Sequence, residues 1–356
     1  MRLLYFNPEN DLALASNDPH YTPPASARQM ARDLSDFSKY WAEPDDLILR
    51  SDGTLVDAQG RPSNESLSIL HYPSSLLPWG WSPLTVRQLD EMGIPCTVLP
   101  TEKQLAEYRA FASRRTAVFL LENFRKISPR YFSEKHLVGE STWCCSEEAV
   151  WQTCGCYGAS MLKMPWSGSG RGVHPVQATG PGEKDVAWVR RTLERQGGVE
   201  VEPIYNKVLD FAMEFWADDG QVRYEGLSVF ETTAGGVYAG NLVASEEEKE
   251  RRLTAYVNEG LLQEVREQLV VLLNDASLPS WYTGPLGVDL MIVAQDSRHS
   301  SCNVFSIHPL VEINLRMTMG WVVLHLQRKL NEGEVGTFKI THSEGHYRAI
   351  FSKISR

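Results

Sequence analysis

Two runs near the C-terminus constrain this chain more than anything else in it. Residues 287–294 (GVDLMIVA) and 304–314 (VFSIHPLVEIN) read as buried strands, yet each carries a carboxylate, Asp289 and Glu312. A carboxylate in an apolar strand is costly to bury unless something compensates its charge. Residues two apart on a strand share a face, so Glu312, Asn314 and Arg316 project together. Two arrangements meet the cost. A cation shared by Asp289, Glu312 and Asn314 is one, since all three offer hard oxygen ligands of the kind that hold Mg²⁺ against nucleotide phosphates. The other leaves Asp289 exposed at a strand end and pairs Glu312 with Arg316. A phosphate-suited feature upstream favours the first.

That feature is residues 163–173, KMPWSGSGRGV, where a lysine closes a short apolar run and Gly168, Gly170 and Gly172 follow. Glycines let backbone N–H groups wrap closely around phosphate oxygens, and Lys163 and Arg171 would add charge. Taken alone, the same residues also describe a Gly- and Ser-rich hairpin turn. A glycine pattern is weak without its context.

Length and charge narrow the classes. The 356 residues suit two or three domains, and 42% hydrophobic with 22% charged residues suits a globular protein with a large core. A net charge of −10 argues against a nucleic-acid binder. No apolar run approaches the roughly 20 residues of a membrane span, and the N-terminus lacks a signal-peptide pattern. A cytoplasmic location without membrane contact is expected. Four of six cysteines, Cys144, Cys145, Cys154 and Cys156, cluster, but their spacing is not that of common zinc sites. Core thiols are the expectation.

Along the chain, residues 3–6 predict a strand, followed at once by the polar segment NPEND (7–11). A polar cluster at a strand's carboxyl end suits ligand contact, but a helix N-cap on Asn10 or Asp11 is the stronger reading. A helix over 25–40, strands at 47–49, 67–70 and 96–99, and helices over 84–92 and 102–113 follow. Residues 73–83, rich in Pro, Ser and Trp, predict a loop whose two tryptophans pack beneath it. Strand–helix alternation over roughly the first 120 residues predicts a parallel sheet covered on both faces. A boundary is expected within 123–129. Beyond it come a helix capped by Ser146, the Lys163 strand, a returning strand at 173–177 and a helix capped by Asp185. Strands at 199–205, 209–216 and 222–230 follow. One long helix spans 245–275, with Glu247–Arg251 and Glu248–Arg252 pairs on a solvated face. The two acid-bearing strands come next, then a helix over 321–330 and a hairpin over 337–351.

In order, then, stand a lysine strand with its Gly-rich loop, Glu202-Pro-Ile-Tyr205, Asp210, Asp289, and Glu312-Ile-Asn314 with Arg316. This set resembles the ATP-grasp family, whose carboxylate–amine ligases couple ATP cleavage to amide-bond formation. The resemblance spans about residues 125–320. It implies an N-terminal Rossmann-like α/β domain (1–124), then an ATP-grasp fold of two α+β subdomains, a central one with the lid loop (125–203) and a C-terminal one with the metal site (204–356).

By the same resemblance, Lys163 contacts the nucleotide, and Ser167, Gly168, Ser169, Gly170, Arg171 and Gly172 close over its phosphates. Glu202, Ile204 and Tyr205 form the hinge along the adenine, and Asp210 holds the ribose. Asp289, Glu312 and Asn314 bind Mg²⁺, with Mn²⁺ an alternative. Arg316 acts on the acyl phosphate or the substrate carboxylate, and Lys163 and Arg171 share the catalytic role. An upstream lysine is implied as well, with Lys126 preferred over Lys135. This chain has Gly287 where many members carry a basic residue. The implied activity is a Mg-ATP-dependent ligase joining a carboxylate to an amine (or thiol) through an acyl phosphate. Its partners would be an amino acid, peptide or small carboxylate and an amine, with a homodimer one option for its assembly. A phosphotransferase and a non-catalytic ATP-binding module are the alternatives.

Overall fold

The computed structural model describes residues 1–65, 67, 75–168, 172–233, 237–276, 278, 282–295 and 304–354. The chain begins with β1 (Leu3–Tyr5), α1 (Asn10–Ser16), α2 (Ala25–Asp33), β2 (Leu47–Leu49), β3 (Leu55–Asp57), β4 (Leu76–Pro78), α3 (Pro83–Glu91), α4 (Glu102–Phe111), α5 (Arg114–Ile127) and α6 (Pro129–Ser133). Its sheet has the order β3-β2-β1-β4, with β1 parallel to both neighbours and β3 an antiparallel edge. Both faces of β1 are buried, as a parallel strand requires. Leu3 and Tyr5 enter the main core, while Leu4 and Phe6 enter a second core.

Next come β5 (Thr142–Cys144), α7 (Glu147–Tyr157), β6 (Ser160–Lys163), β7 (Val173–Val176), α8 (Glu183–Gln196) and β8 (Val199–Pro203). They form an antiparallel sheet of order β5-β8-β6-β7 over a small core of their own. Cys144 and Cys154 belong to that core, and Cys145 and Cys156 are exposed. The remainder is β9 (Lys207–Asp218), β10 (Gln221–Thr232), β11 (Tyr238–Val243), α9 (Glu246–Thr254), α10 (Glu259–Asp275), β12 (Gly284–Ala294), β13 (Phe305–Asn314), α11 (Met319–Leu326), β14 (Val335–Ser343) and β15 (His346–Ile354). Seven antiparallel strands run in the order β13-β12-β9-β10-β11-β14-β15. No helix among the described residues is long and apolar enough to cross a membrane.

Several local expectations need correction. The loop expected over 73–83 contains β4, a core strand, and α3 starts at its end with Ser82 as the N-cap. Trp79 packs with Phe6, Phe37 and Trp41 in the second core. The strand expected at 96–99 is a short 3-10 turn after Pro95, and the helix expected over 25–40 ends at Asp33, with a second 3-10 turn over Phe37–Tyr40. Most of the strand expected at 67–70 lies outside the described residues. Helix α5 runs unbroken through the boundary expected within 123–129 as far as Ile127. The single helix over 245–275 is two helices, because the Asn258 side chain caps a fresh start by accepting the Gly260 N–H. In place of Glu247–Arg251, both Arg251 and Arg252 pair with Glu248. Asp185 is the third residue of α8, not its cap, and accepts the Gly182 N–H at 2.7 Å. Strand β11 was not anticipated.

Candidate active site

The antiparallel register of β12 and β13 sets Asp289 opposite Glu312 and Gly287 opposite Asn314. Directly paired residues share a face, so the acids and the amide that the sequence singled out stand together on one side of the large sheet. Strand β9 extends that face, with Ala212 beside Asp289 and Glu214 beside Gly287. Asn314 donates its Nδ2–H to Asp289 Oδ2 at 3.1 Å. Burial, and then the nearby Glu312 charge, push the Asp289 carboxyl up to about 7. The two carboxylates face each other across the paired strands.

Glu312 does not pair with Arg316. Its Oε2 accepts from Arg114 Nη2 at 2.7 Å. Arg316 instead forks onto Asp11, Nε to Oδ1 at 2.7 Å and Nη2 to Oδ2 at 2.9 Å. It also donates to Asn314 Oδ1 at 2.9 Å and to the Met317 carbonyl at 3.1 Å. Burial weakens a guanidinium's charge, but Asp11 more than offsets it here, so the Arg316 pKa ends above its ordinary value.

The small sheet brings the other half. Lys163 ends β6 opposite Glu200 of β8. It is 4% exposed, with Nζ 2.8 Å from Glu202 Oε2 and 3.6 Å from Glu200 Oε1. Burial pulls the ammonium down, and Glu200 and Glu202 together reverse that pull. Glu202, buried beside a second carboxylate, is raised to about 7 in spite of Lys163. Arg114, at the start of α5, joins the two sheets. Its Nη1 donates to the Met164 carbonyl and to Ser167 Oγ, both at 2.6 Å, and its Nε lies 3.9 Å from Glu200. One buried network thus runs from Glu312 through Arg114 to Glu200, Lys163 and Glu202. His308, 3.9 Å from Glu202, adjoins it, and burial lowers its imidazole to about 3, leaving it neutral.

Of the Gly-rich loop, Ser169, Gly170 and Arg171 lie outside the described residues. At the near end, a Cβ on Gly168 would overlap the Asp11 carboxylate; at the far end, one on Gly172 would overlap the Ser167 side chain. The Gly172 carbonyl accepts the Met164 N–H at 2.8 Å, closing the stem. Trp166 anchors that stem, with Arg109 stacked 3.5 Å above its ring and the Arg109 carbonyl accepting its indole N–H at 2.8 Å.

Other expected residues are placed differently from one another. Glu202 has its carboxylate turned to Lys163. Ile204 is exposed, and its N–H reaches the Ala159 carbonyl at 2.9 Å. Tyr205 donates to Glu140 Oε2 at 2.7 Å. Asp210 accepts from Lys207 at 2.5 Å and Thr232 at 2.8 Å, beside the acid-bearing face. Lys126 is exposed at the end of α5 and bonds Asn123 at 3.2 Å, apart from the cluster. Lys135 is exposed too, with its N–H donated to the Phe132 carbonyl at 3.1 Å and its carbonyl accepting from Gln295 and Ser306.

Three residues escaped the sequence reading, Arg114, Glu200 and Glu214, while Asp11 was read mainly as a cap candidate. Glu200 had a signal, standing two before Glu202 on the same strand face. Glu214 had one as well, being a lone acid within FAMEFW. It is 1% exposed, and burial raises it to about 8. Thr318 Oγ1 donates to its Oε2 at 2.8 Å. A Cβ on Gly287 or Gly320 would crowd its carboxyl, so Gly287 stands where a basic side chain has no room.

Asn10, Asp11, Tyr108, Ser167, Glu312, Asn314 and Arg316 line a narrow pocket of ≈ 20 Å³ where the two sheets and α1 meet. No protein-family model matches the chain, and no curated protein sequence matches it. Solved structures do. The N5-carboxyaminoimidazole synthetase of Staphylococcus aureus, complexed with ADP, is 11% identical over 97% of this chain and 83% of its own, with a TM-score of 0.48. The D-alanyl-alanine synthetase A of Vibrio cholerae is 12% identical over 90% and 88%, at 0.41. The D-cycloserine synthetase DcsG is 12% identical over 93% and 100%, at 0.45. All three are synthetases. At this identity and with TM-scores below 0.5, the likeness by itself decides nothing about what this chain does.

Proposed function

We propose that this chain is an ATP-grasp enzyme, a Mg-ATP-dependent ligase that joins a small carboxylate to an amine through an acyl phosphate. One observation carries the reading: Asp289, Glu312 and Asn314 share a face across paired strands, and Arg114 ties that face to the stem of the glycine loop. The same face supports the metal assignment. Asp289 is half-buried opposite a second carboxylate, and desolvation and then the Glu312 charge raise it to about 7. Asp289, Glu312 and Asn314 fit a hard divalent cation, which would neutralise charge on the nucleotide phosphates.

The chain's own groups account for the rest. Lys163 and the loop N–H groups hold phosphate oxygens, and Arg114 holds Glu312 and the loop stem in place. The substrate carboxylate oxygen attacks the γ-phosphorus, and ADP leaves with the bridging oxygen's electron pair. The amine nitrogen then attacks the acyl carbon, phosphate leaves, and the nitrogen loses a proton to solvent. Arg316 steadies the carbonyl oxygen with what Asp11, Asn314 and Met317 leave of its donors. A loop closed over the acyl phosphate excludes water.

The test is ADP and phosphate release from Mg-ATP across a panel of amino acids, small peptides and carboxylates. Release that depends on an amine, with a condensed amide product by mass, supports the ligase. A phosphorylated acceptor formed without amine replaces it with the phosphotransferase. Tight nucleotide binding with no turnover on any acceptor replaces it with a binding module.

A further inference from the structure

Along β6 and just past its end, alternate residues face opposite sides of the small sheet. Lys163 faces the buried charges. Its neighbours Leu162 and Met164 face the other way, Leu162 into the small core and Met164 into a cavity of ≈ 340 Å³ against α8. The stretch WVRRTLERQ (188–196) of α8 supplies the rest of the lining through Trp188, Arg191, Thr192, Arg195 and Gln196. Steps of three and four put these five on one face of the helix. The space is far larger than the ≈ 20 Å³ beside Arg316 and belongs to none of the residues assigned to nucleotide or metal.

The walls of this cavity are almost wholly apolar. Trp188 is the aromatic one. Its indole is held by a stack on His174, with ring centres 5.1 Å apart and planes 18° from parallel, and His174 is held in turn by Asp185 at 2.6 Å. The rim is cationic. Arg191 and Arg195 are exposed, so their methylene stems lie along the wall while the guanidiniums reach water. Among the described residues neither guanidinium makes a hydrogen bond or an ion pair, whereas their neighbour Arg190 is bound to Glu147 at 2.7 Å. In a chain of net charge −10, two unpaired arginines one turn apart reverse the sign locally. An anion that bridges them removes their repulsion and accepts hydrogen bonds from both.

We propose that this cavity is an effector site for a small aromatic anion, one or two apolar rings carrying a single carboxylate or phosphate. The rings lie against Trp188 and Met164, and the anion sits between Arg191 and Arg195. A volume of ≈ 340 Å³ stands at the small end of ordinary ligand sites, which suits one or two rings better than a peptide. The occupant takes no part in the chemistry, since it lies across β6 from the partners of Lys163. What it touches is the stem of the glycine loop. Gln196 accepts the Trp166 N–H at 3.0 Å and donates to Met164 Sδ at 3.8 Å. Binding against Met164 and Gln196 is therefore coupled to the loop stem, and through it to nucleotide affinity. Only that coupling rests on the ATP reading; the binding is tested apart from it.

The experiment is calorimetric titration of the full chain with 3-phenylpropionate and with phenyl phosphate. Acetate, inorganic phosphate and benzyl alcohol are the controls. At least one ring-bearing anion is expected to bind, the tighter of the two naming the anionic group, and each control to bind about tenfold more weakly or worse. The double variant Arg191→Gln/Arg195→Gln should weaken the probe by about tenfold or more and keep its melting temperature and its Mg-ADP affinity, both side chains being exposed. Saturating probe should change the Kd of Mg-ADP by about fivefold or more in wild type and leave it unchanged in the double variant. Failure of both probes to bind overturns the site, as does a control binding equally well, or full affinity in the double variant. Binding with no change in the Mg-ADP Kd overturns the effector role. Should Mg-ADP itself not bind, the ATP reading falls, and the probe titration still judges the cavity.

Discussion

The two antiparallel sheets meet across one cleft but bring opposite balances of charge to it. Counted with Arg114 of α5, which Glu312 shares, the small sheet's side is even: Lys163 and Arg114 stand against Glu200 and Glu202. The large sheet presents Asp289 and Glu312, while Arg316 is spent on Asp11 and Lys207 on Asp210. An even set of buried ions is self-contained; an acidic surplus is not. Under the proposed function, the contrast assigns the cation to the large sheet's jaw and the phosphates to the small one's, although both are sheets of the same type.

The largest effect should come from breaking the acidic side. Asp289→Asn or Glu312→Ala is expected to lower the rate of ADP release by about three orders of magnitude, and EDTA should abolish it until Mg²⁺ is restored. Near-normal turnover in either variant would falsify the site. Arg114→Leu tests the link between the jaws. It strands Glu312 and Glu200 without their shared cation and should cost about 3–5 kcal/mol in urea unfolding. An unchanged midpoint would mean that the two sheets do not depend on that bridge.

Glu214 gives a pH signature. Its folded carboxyl holds a proton up to about 8, whereas an unfolded glutamic acid releases it near the ordinary 4.5. The stability tied to that proton is complete below the unfolded value and is lost as pH rises through the folded one. Glu214→Gln cannot titrate, so wild type should lose a few kcal/mol relative to it between pH 5 and pH 8. Parallel stability profiles would show that Glu214 is ionised already. The smallest effect belongs to Lys126→Ala, whose KM for ATP should stay within about twofold, since the side chain is exposed and bonds only Asn123. A large rise would restore Lys126 to the nucleotide site.

The residues legible in the sequence were those that broke a local rule: charges inside apolar strands, glycines crowded after a lysine. Asp289, Glu312 and Lys163 all do so, Asn314 follows from sharing Glu312's strand face, and Arg114 ties the two groups together. Arg114 breaks none. An arginine at a helix start reads as surface, and its partners Met164 and Glu312 lie 50 and 198 residues away. Asp11 was visible but suited an N-cap better, and only its tertiary partner Arg316 overturns that reading. The same reason accounts for β4: Leu76–Pro78 has the composition of a loop and becomes a strand because β1 lies beside it.

The small sheet keeps its buried apolar residues to itself. Cys144, Val150, Cys154, Leu162, Val176, Val189, Val199 and Val201 form one closed cluster, whereas the first and last thirds of the chain share an aromatic core of Phe6, Phe37, Trp79 and Phe338. Segments that share no hydrophobic interior with their surroundings come apart as cooperative units of their own. The separate core predicts that the jaw carrying Lys163 opens as one cooperative unit, so that Val189→Ala lowers amide protection across residues 142–203 and leaves it unchanged in the large sheet.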